Sequence, residues 1–368
     1  MIKNTDVFII GGGPAGLACA IAARRRGLDV VIADGAEPPI DKACGEGLMP
    51  TTLAALRDLD IEIGAAEGFA FGGIRFLNGA DRAQADFPCG QGVGLRRLTL
   101  HQKLIARAQE SGVRFLWKTP VTGLCPVGVV VRQQVIRTRW IVGADGIRSR
   151  VRRWSGLEGR NAGQYRYACR RHYRIAPWTN CVDVHWGEGV QAYVTPVGVS
   201  DVCIVLVSRN PGISFEVLEE QFPELHDRLV KAAVLGKERG AVTATGRLES
   251  VYRGNVALIG DASGSVDAIT GEGLCLSFRQ ATALADALIE GDLSHYQKVH
   301  VKLARQPRIM ARLLLLLDRH PALRGRVVRT LSTHPELFSR LLAMHAEASS
   351  PVHAASTATL LGWRLVTA

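Results

Sequence analysis

Apolar and polar positions along the first 34 residues follow two different periods. Residues 7–10 form an unbroken apolar run, short enough for a buried strand, and residues 30–33 form a second one. Between them residues 17–26 read as a helix, with Gly27 in the place of the glycine that follows a helix C-terminus. Ahead of that helix lies a turn with glycines at G-x-G-x-x-G spacing, Gly11, Gly13 and Gly16. Strand, glycine turn, helix and strand together predict the start of a doubly wound parallel sheet.

The pattern changes further on. Residues 68–88 read as short strands with glycine turns, a small antiparallel layer. Residues 92–112 return to helix, with Leu100, Leu104 and Ala108 at helical spacing and Gly112 as the stop. Another parallel strand follows at 113–116, then a hairpin-like pair at 129–132 and 135–139, and an apolar stretch at 140–143 running into GADGIRS. From 165 to 207 aromatic and β-branched runs alternate with turns, which predicts a second, mainly antiparallel sheet of the sort that covers an active site. Residues 215–235 read as helical and 243–250 as a return to the first domain. Residues 256–259 form a last buried strand, and Gly271 and Gly273 open a long helix. Residues 296–346 are rich in leucine and arginine, in pieces that begin or break at proline; beyond 349 a tail with a late LLGWRL is expected to be loosely held.

Composition bounds the function. At 368 residues the chain exceeds the usual limit of a single core. Its formal charge of +11 suits an anionic lipid, an anionic cofactor, a carrier protein or nucleic acid, and charge alone does not choose among them. Nucleic acid is not expected as a partner. The basic amphipathic stretch 296–346 can lie on an anionic membrane surface, although packing against the body as a helical cap is the preferred reading. Eight cysteines occur without a C-x-x-C, and several sit in apolar runs such as that around Cys203, so neither a metal site nor a disulfide framework is expected. With no cleavable leader and no run of roughly 18 apolar residues, the cytoplasm is the expected location, peripheral membrane association aside.

The candidate chemistry begins at the glycine turn. Gly11 permits the tight turn, Gly13 lets backbone approach a pyrophosphate, and Gly16 lets helix pack on strand, while the helix N-terminus offers free N–H groups. Asp34, at the end of the second strand, is placed to accept hydrogen bonds from a ribose. Arg97 stands just before a helix, where a guanidinium can reach a pyrophosphate or serve a surface ion pair. Asp145 either meets a cofactor or caps the basic helix after it. Asp261, at a strand tip, can accept from a polyol, and the helix opened at Gly273 can stabilise negative charge on a ring such as a reduced flavin. The segment KACGEGLMP, residues 42–50, reads as a loop whose backbone comes close to something flat or anionic.

Three separated motifs, GGGPAG with Asp34, GADGIRS and GDASGSVDAITGEG, resemble in order and spacing those of the FAD-dependent aromatic hydroxylase superfamily. The third is similar to its geranylgeranyl reductase and flavin halogenase branches. The resemblance covers residues 1–290. It implies that Gly11, Gly13, Pro14, Ala15, Gly16 and Asp34 hold the ADP half of FAD, and that Arg97 and Asp145 support the pyrophosphate region. It further implies that Gly260 and Asp261 meet pyrophosphate or ribitol, that Gly271, Glu272 and Gly273 lie against the isoalloxazine, and that Cys44, Gly45 and Glu46 reach the active site. Cys44 and Glu46 are then the catalytic candidates. The implied domains are an FAD-binding unit of residues 1–75, 92–160 and 245–295, a substrate domain of 76–91 and 161–244, a helical region 296–348 and a tail 349–368.

Some positions depart from those branches. Ala268 stands where they carry proline, Gly264 where aromatic hydroxylases carry histidine, and of the Y-x-W-x-F-P signature of archaeal lipid reductases only Tyr193 and Pro196 remain. These departures weigh against lipid saturation and halogenation. The expectation is therefore an FAD enzyme reduced by NAD(P)H that hydroxylates a hydrophobic aromatic, polyketide or lipid-like molecule with oxygen. Reduction of isoprenoid double bonds is the alternative, and a flavin-binding protein without turnover, recruited to a membrane or carrier, is the third reading.

Overall fold

The computed structural model describes residues 2–64, 66–159 and 165–346; the expected tail with LLGWRL and the boundary at residue 160 lie outside the described residues. Its helices are α1 (Pro14–Arg25), α2 (Pro50–Arg57), α3 (Arg97–Glu110), α4 (Arg150–Trp154), α5 (Val217–Gln221), α6 (Pro223–Leu229), α7 (Gly273–Glu290), α8 (Leu293–Arg319), α9 (Pro321–Thr333) and α10 (Pro335–Ala346).

The apolar runs of the chain's start become the middle of an eight-stranded sheet. Its order is Tyr252–Arg253, Val256–Leu258, Gln134–Gly143, Asn4–Ile10, Val30–Ala33, Arg114–Leu116. Gly128–Val131 and Val121–Cys125 add an antiparallel pair along the first half of Gln134–Gly143. The inner strands run parallel, so Ile10 pairs with Ala33 on one side and Gly143 on the other. Val7, Phe8, Ile9, Val30, Val31 and Ile32 are fully buried, because helices cover one face and further apolar side chains the other. That two-sided burial is why these strands read as continuous apolar runs instead of alternating ones. The small residues of α1, Ala18, Ala22 and Ala23 among them, let it pack closely on Ala281, Leu284 and Ala285 of α7. The strand tips that carry all three motifs therefore open on one edge, where doubly wound sheets bind their ligands.

A seven-stranded sheet stands over that edge in the order Ala233–Ala244, Tyr165–Arg174, Asp201–Ser208, Val190–Gly198, Cys181–Trp186, Gly73–Asn78, Asp81–Asp86. It is antiparallel except where Cys181–Trp186 runs parallel to Gly73–Asn78. A third, small sheet joins Gly47–Leu48, Gly92–Gly94 and Phe69–Phe71, so the helix expected from residue 92 starts only at Arg97.

Two expectations need correction. The helix expected over 215–235 ends at Leu229, and Ala233–Ala244 is an edge strand paired along Tyr165–Arg174. Its residues are mostly exposed or half-buried and include Lys237, Glu238 and Arg239, so no alternation marked it. The helical region does not break at Pro307, which lies buried inside α8; Pro321 and Pro335 do open helices. The helical region also packs on the body, as the preferred reading had it. Val328, Leu331, Phe338 and Leu342 of α9 and α10 close on Phe71, Ala83 and Phe87.

Candidate flavin site and substrate cavity

At the tip of Asn4–Ile10 the chain turns through Gly11, whose φ is +116°, and an added Cβ there would lie 2.4 Å from the Ala144 carbonyl oxygen. A Cβ on Gly16 would lie 2.0 Å from the Gly11 carbonyl oxygen, so the third glycine seals helix to strand. Gly13 differs: nothing lies within 4 Å of its would-be Cβ. It is the N-cap of α1 with no side-chain cap, and Pro14 holds the first helical position, so the N–H groups of the first turn stay open to a ligand. Gly13, Pro14 and Ala15 line a cavity.

Asp34 accepts hydrogen bonds from Gly12 N (2.7 Å) and Ala36 N (2.8 Å), which leaves lone pairs for a ribose hydroxyl. The Trp117 ring covers Gly12 beside Asp34, where a Cβ on Gly12 would meet it at 2.3 Å. A single tryptophan after a short strand gave no signal of this. Behind the turn, His101 accepts from Ile40 N through Nδ1 (3.3 Å), which makes Nε2 the donor to the Gly12 carbonyl at 2.9 Å. Burial lowers the imidazole's pKa and keeps that neutral tautomer.

Asp145 does not reach toward the cavity with a free carboxylate. It accepts from Ser149 Oγ (2.5 Å), Arg150 N (2.7 Å) and Val151 N (3.1 Å), so capping α4 is the role its bonds show. Gly260, with φ +59°, brings the third motif against the first, since its Cβ would lie 2.8 Å from that of Ala15. Asp261 lines the cavity, where crowding by protein raises its carboxyl above the ordinary value and Lys42 opposes that rise. Gly271 and Gly273, the latter the first residue of α7, also line the cavity, and the N-terminus of α7 carries no side-chain cap. Glu272 stands between them and is absent from the cavity wall; burial raises it to about 8.

The loop of residues 40–47 completes the floor. Glu46 takes the left-handed conformation, φ +58°, uncommon for a residue with a side chain. Its carboxylate is a buried hub: Oε1 accepts from Arg97 N (2.9 Å) and Arg170 Nη1 (3.2 Å), and Oε2 from His172 Nε2 (2.7 Å). Arg170 also holds Asp41 with two bonds of 2.9 Å, tying the loop to the upper sheet. Glu46, His172 and Cys203 offer three atoms in reach of one cation, yet both carboxylate oxygens already have donors. Glu46 thus positions the loop and the start of α3. Arg170 and His172 lie more than 120 residues away from it, and no local pattern announced the pairing. Cys44 lines the cavity, and burial raises its thiol above the usual range, with Arg97 opposing. Arg97 Nη1 is buried and has no hydrogen-bond partner among the described residues.

These features fit an FAD. Gly13, Gly45 and Gly273 present bare faces where a Cβ would meet nothing within 4 Å, and an unpaired buried guanidinium nitrogen stands near them on the wall of the same cavity. That cavity, about 1180 Å³, extends from the glycine turn under the upper sheet, past Val184, Trp186 and Tyr193, to the leucines of α8 and α10. Tyr193 O–H faces Gln191 Oε1 (3.2 Å) and the Ile269 carbonyl (3.4 Å), and burial raises its phenol.

Comparison with known proteins agrees with this geometry. The model of the FAD binding domain family matches residues 4–170. A menaquinone reductase of Mycobacterium tuberculosis is 27% identical over 79% of this chain and 78% of its own. Digeranylgeranylglycerophospholipid reductase 1 of Methanopyrus kandleri is 27% identical over 78% of this chain and 80% of its own. The flavin-dependent brominase Bmp2 shares the fold, with a TM-score of 0.79 at 20% identity over 93% of both chains. Among the described residues no helix is long and apolar enough to cross a membrane. An FAD-binding domain over residues 4–170, a cavity that fits the cofactor and these relatives together make the chain an FAD-dependent oxidoreductase, similar in sequence to the menaquinone and digeranylgeranylglycerophospholipid reductases.

Proposed function

We propose that this enzyme saturates carbon–carbon double bonds of an isoprenoid lipid, using FAD reduced by NAD(P)H. The observation that carries the reading is the shape of the cavity: about 1180 Å³ with the space for the flavin included, it continues past Val184, Trp186 and Tyr193 to the leucines of α8 and α10. Its far part is walled by apolar side chains suited to a prenyl chain, and relatives aligned over about four fifths of this chain and of their own are reductases whose names specify menaquinone and a digeranylgeranyl phospholipid. This order reverses the expectation that placed oxygenation first.

Gly13, Ala15, Arg97 and Asp261 would hold the pyrophosphate and ribityl part of FAD, Asp34 the ribose, and Gly45, Gly271 and Gly273 would flank the ring. When bound, FAD supplies the hydride of the reduction. The chain supplies the rest. Val184, Trp186 and the leucines of α8 exclude water around the double bond. Cys44, protonated at neutral pH because burial raises its thiol, holds the proton at Sγ that the second carbon receives; the thiolate left behind is reprotonated from solvent. Glu46, through Arg97 N and the Glu46 N–H that donates to Cys44 Sγ at 3.5 Å, fixes where that thiol stands.

A second reading, hydroxylation of an aromatic molecule, draws support from Phe76, Tyr167, Trp186 and Tyr193 on the cavity wall. Product analysis separates the two. Reduced enzyme incubated without oxygen with a polyprenyl lipid should give a product heavier by one or more H2. A product that appears only in air and is heavier by one oxygen atom would replace the first reading with the second.

A further inference from the structure

The wall of the cavity and the outer surface of the protein meet on α8. Lys302, Arg305, Ile309, Arg312, Leu313 and Leu316 are all exposed and follow one another at steps of three, four, three, one and three, which puts them on one side of a helix. Ile309, Leu313 and Leu316 are 49%, 50% and 43% exposed, a cost that packing on the body does not recover. Leu313 and Leu316 also line the cavity, so they stand at its mouth. The surroundings are cationic. Residues 296–346 hold ten lysines and arginines against two acids. Of those acids, Asp318 is taken by Arg209 and Gln191, and Glu336 by His334. Arg308 feels the like charges of Arg247 and Arg312, and its Nε is buried with no partner among the described residues.

We propose that this side of α8 docks on an anionic lipid bilayer, with Lys302, Arg305 and Arg312 on the headgroups and Ile309, Leu313 and Leu316 in the acyl boundary. A lipid tail then enters the cavity past Leu313 and Leu316 without crossing water; this last step rests on the reading of a lipid substrate, whereas the docking does not. A basic stripe interleaved with leucine and isoleucine has the pattern of helices that lie in a bilayer interface. Two further features favour a bilayer over an acidic protein surface: the apolar residues continue inward into a cavity, and Lys302, Arg305 and Arg312 make no ion pair among the described residues.

The test uses FAD-loaded protein and vesicles of phosphatidylcholine containing roughly a third phosphatidylglycerol, read by co-sedimentation. The wild-type protein should pellet with them, less so at high salt and little with phosphatidylcholine alone. The triple variant Lys302→Glu, Arg305→Glu, Ile309→Ser touches none of the residues that line the cavity. It should keep its flavin and bind about a hundredfold more weakly or worse, since each basic residue near such a surface is worth about fivefold. The same variant should reduce a polyprenyl lipid dispersed in detergent at the wild-type rate and fail on that lipid in vesicles. Wild-type protein that stays in the supernatant, or a triple variant that pellets undiminished, would overturn the docking. So would a concentration-dependent dimer that these substitutions dissolve, because the face would then belong to a second copy. Vesicle binding without any lipid reduction would leave the docking standing and remove the proposed reaction.

Discussion

Gly13 and Gly16 are three residues apart and lead to opposite expectations. A Cβ at Gly16 would collide with the Gly11 carbonyl oxygen at 2.0 Å, whereas one at Gly13 would meet no protein atom within 4 Å. Gly16→Val should therefore lower the stability of the apoprotein by about 1–3 kcal/mol or more, by overpacking a helix–strand junction. Gly13→Val should melt like the wild type and lose its flavin. Paired thermal melts and flavin absorbance check both, and a Gly13→Val protein with full flavin would remove the assigned site. Cys44 carries the proton in the proposed reaction, so Cys44→Ala should keep FAD and slow turnover by about 10²–10⁴-fold. The wild-type rate should fall as pH rises through the thiol's elevated pKa, and that alkaline limb should vanish in the variant; a purely structural cysteine would leave the pH profile unchanged. These glycines, and Cys44 as a residue of the cavity wall, were legible because a backbone demand or a motif marks them locally. Asp145 was legible only as a pair of alternatives, and three bonds to its own turn and helix show the capping one.

The strands and helices with a two-sided core could be read in advance, because burial on both faces writes an apolar run into the chain. Ala233–Ala244 could not: it is an edge strand that meets one neighbour and shows charged residues to solvent. Pairings across the fold were equally silent. Arg166 and Asp267, each 2% exposed, bond at 2.9 Å across 101 residues, and Arg166 continues to Gln191, whose Nε2 donates to Asp318 of α8 at 3.0 Å. This chain of buried polar groups links the third glycine motif, the upper sheet and α8. Asp318→Ala leaves Arg209 without its carboxylate and Gln191 without an acceptor. The C-terminal half of α8 should then exchange its amide protons faster than in the wild type, while α1 and α7 keep their protection. Unchanged exchange in α8 would show that apolar packing alone holds that helix over the cavity.

At the scale of the whole molecule, two histidines kept neutral by their surroundings should weaken the fold in acid. Burial lowers His185 and His300 from 6.5 to about 4. The unfolded chain binds protons at these sites near pH 6.5 and the folded chain only near 4, so their contribution is complete above about 6.5 and is lost as pH falls toward 4. For His300, 2% exposed, the loss is on the order of 3 kcal/mol. Glu272 works in the opposite sense, since a carboxyl raised from 4.5 to about 8 favours folding at low pH and less as pH rises. Denaturant melts of His300→Gln between pH 7 and 4 should show a shallower acid slope than the wild type, and an equal slope would contradict the assignment.

Across the same scale the two halves of the protein divide the work. The parallel sheet and its motifs fit FAD, and the upper sheet with α8–α10 encloses the apolar space beside it. The most direct test of the reaction proposed for that space is a stopped-flow comparison of two electron acceptors. Enzyme loaded with FAD and reduced is mixed, without oxygen, with a polyprenyl lipid in detergent, and separately with air-saturated buffer. Rapid return of oxidised flavin absorbance with the lipid alone, and slow, featureless reoxidation in air, is the result expected of an isoprenoid reductase. Reduced flavin that ignores the lipid, yet reoxidises in air at a rate raised by a phenolic substrate, would contradict it.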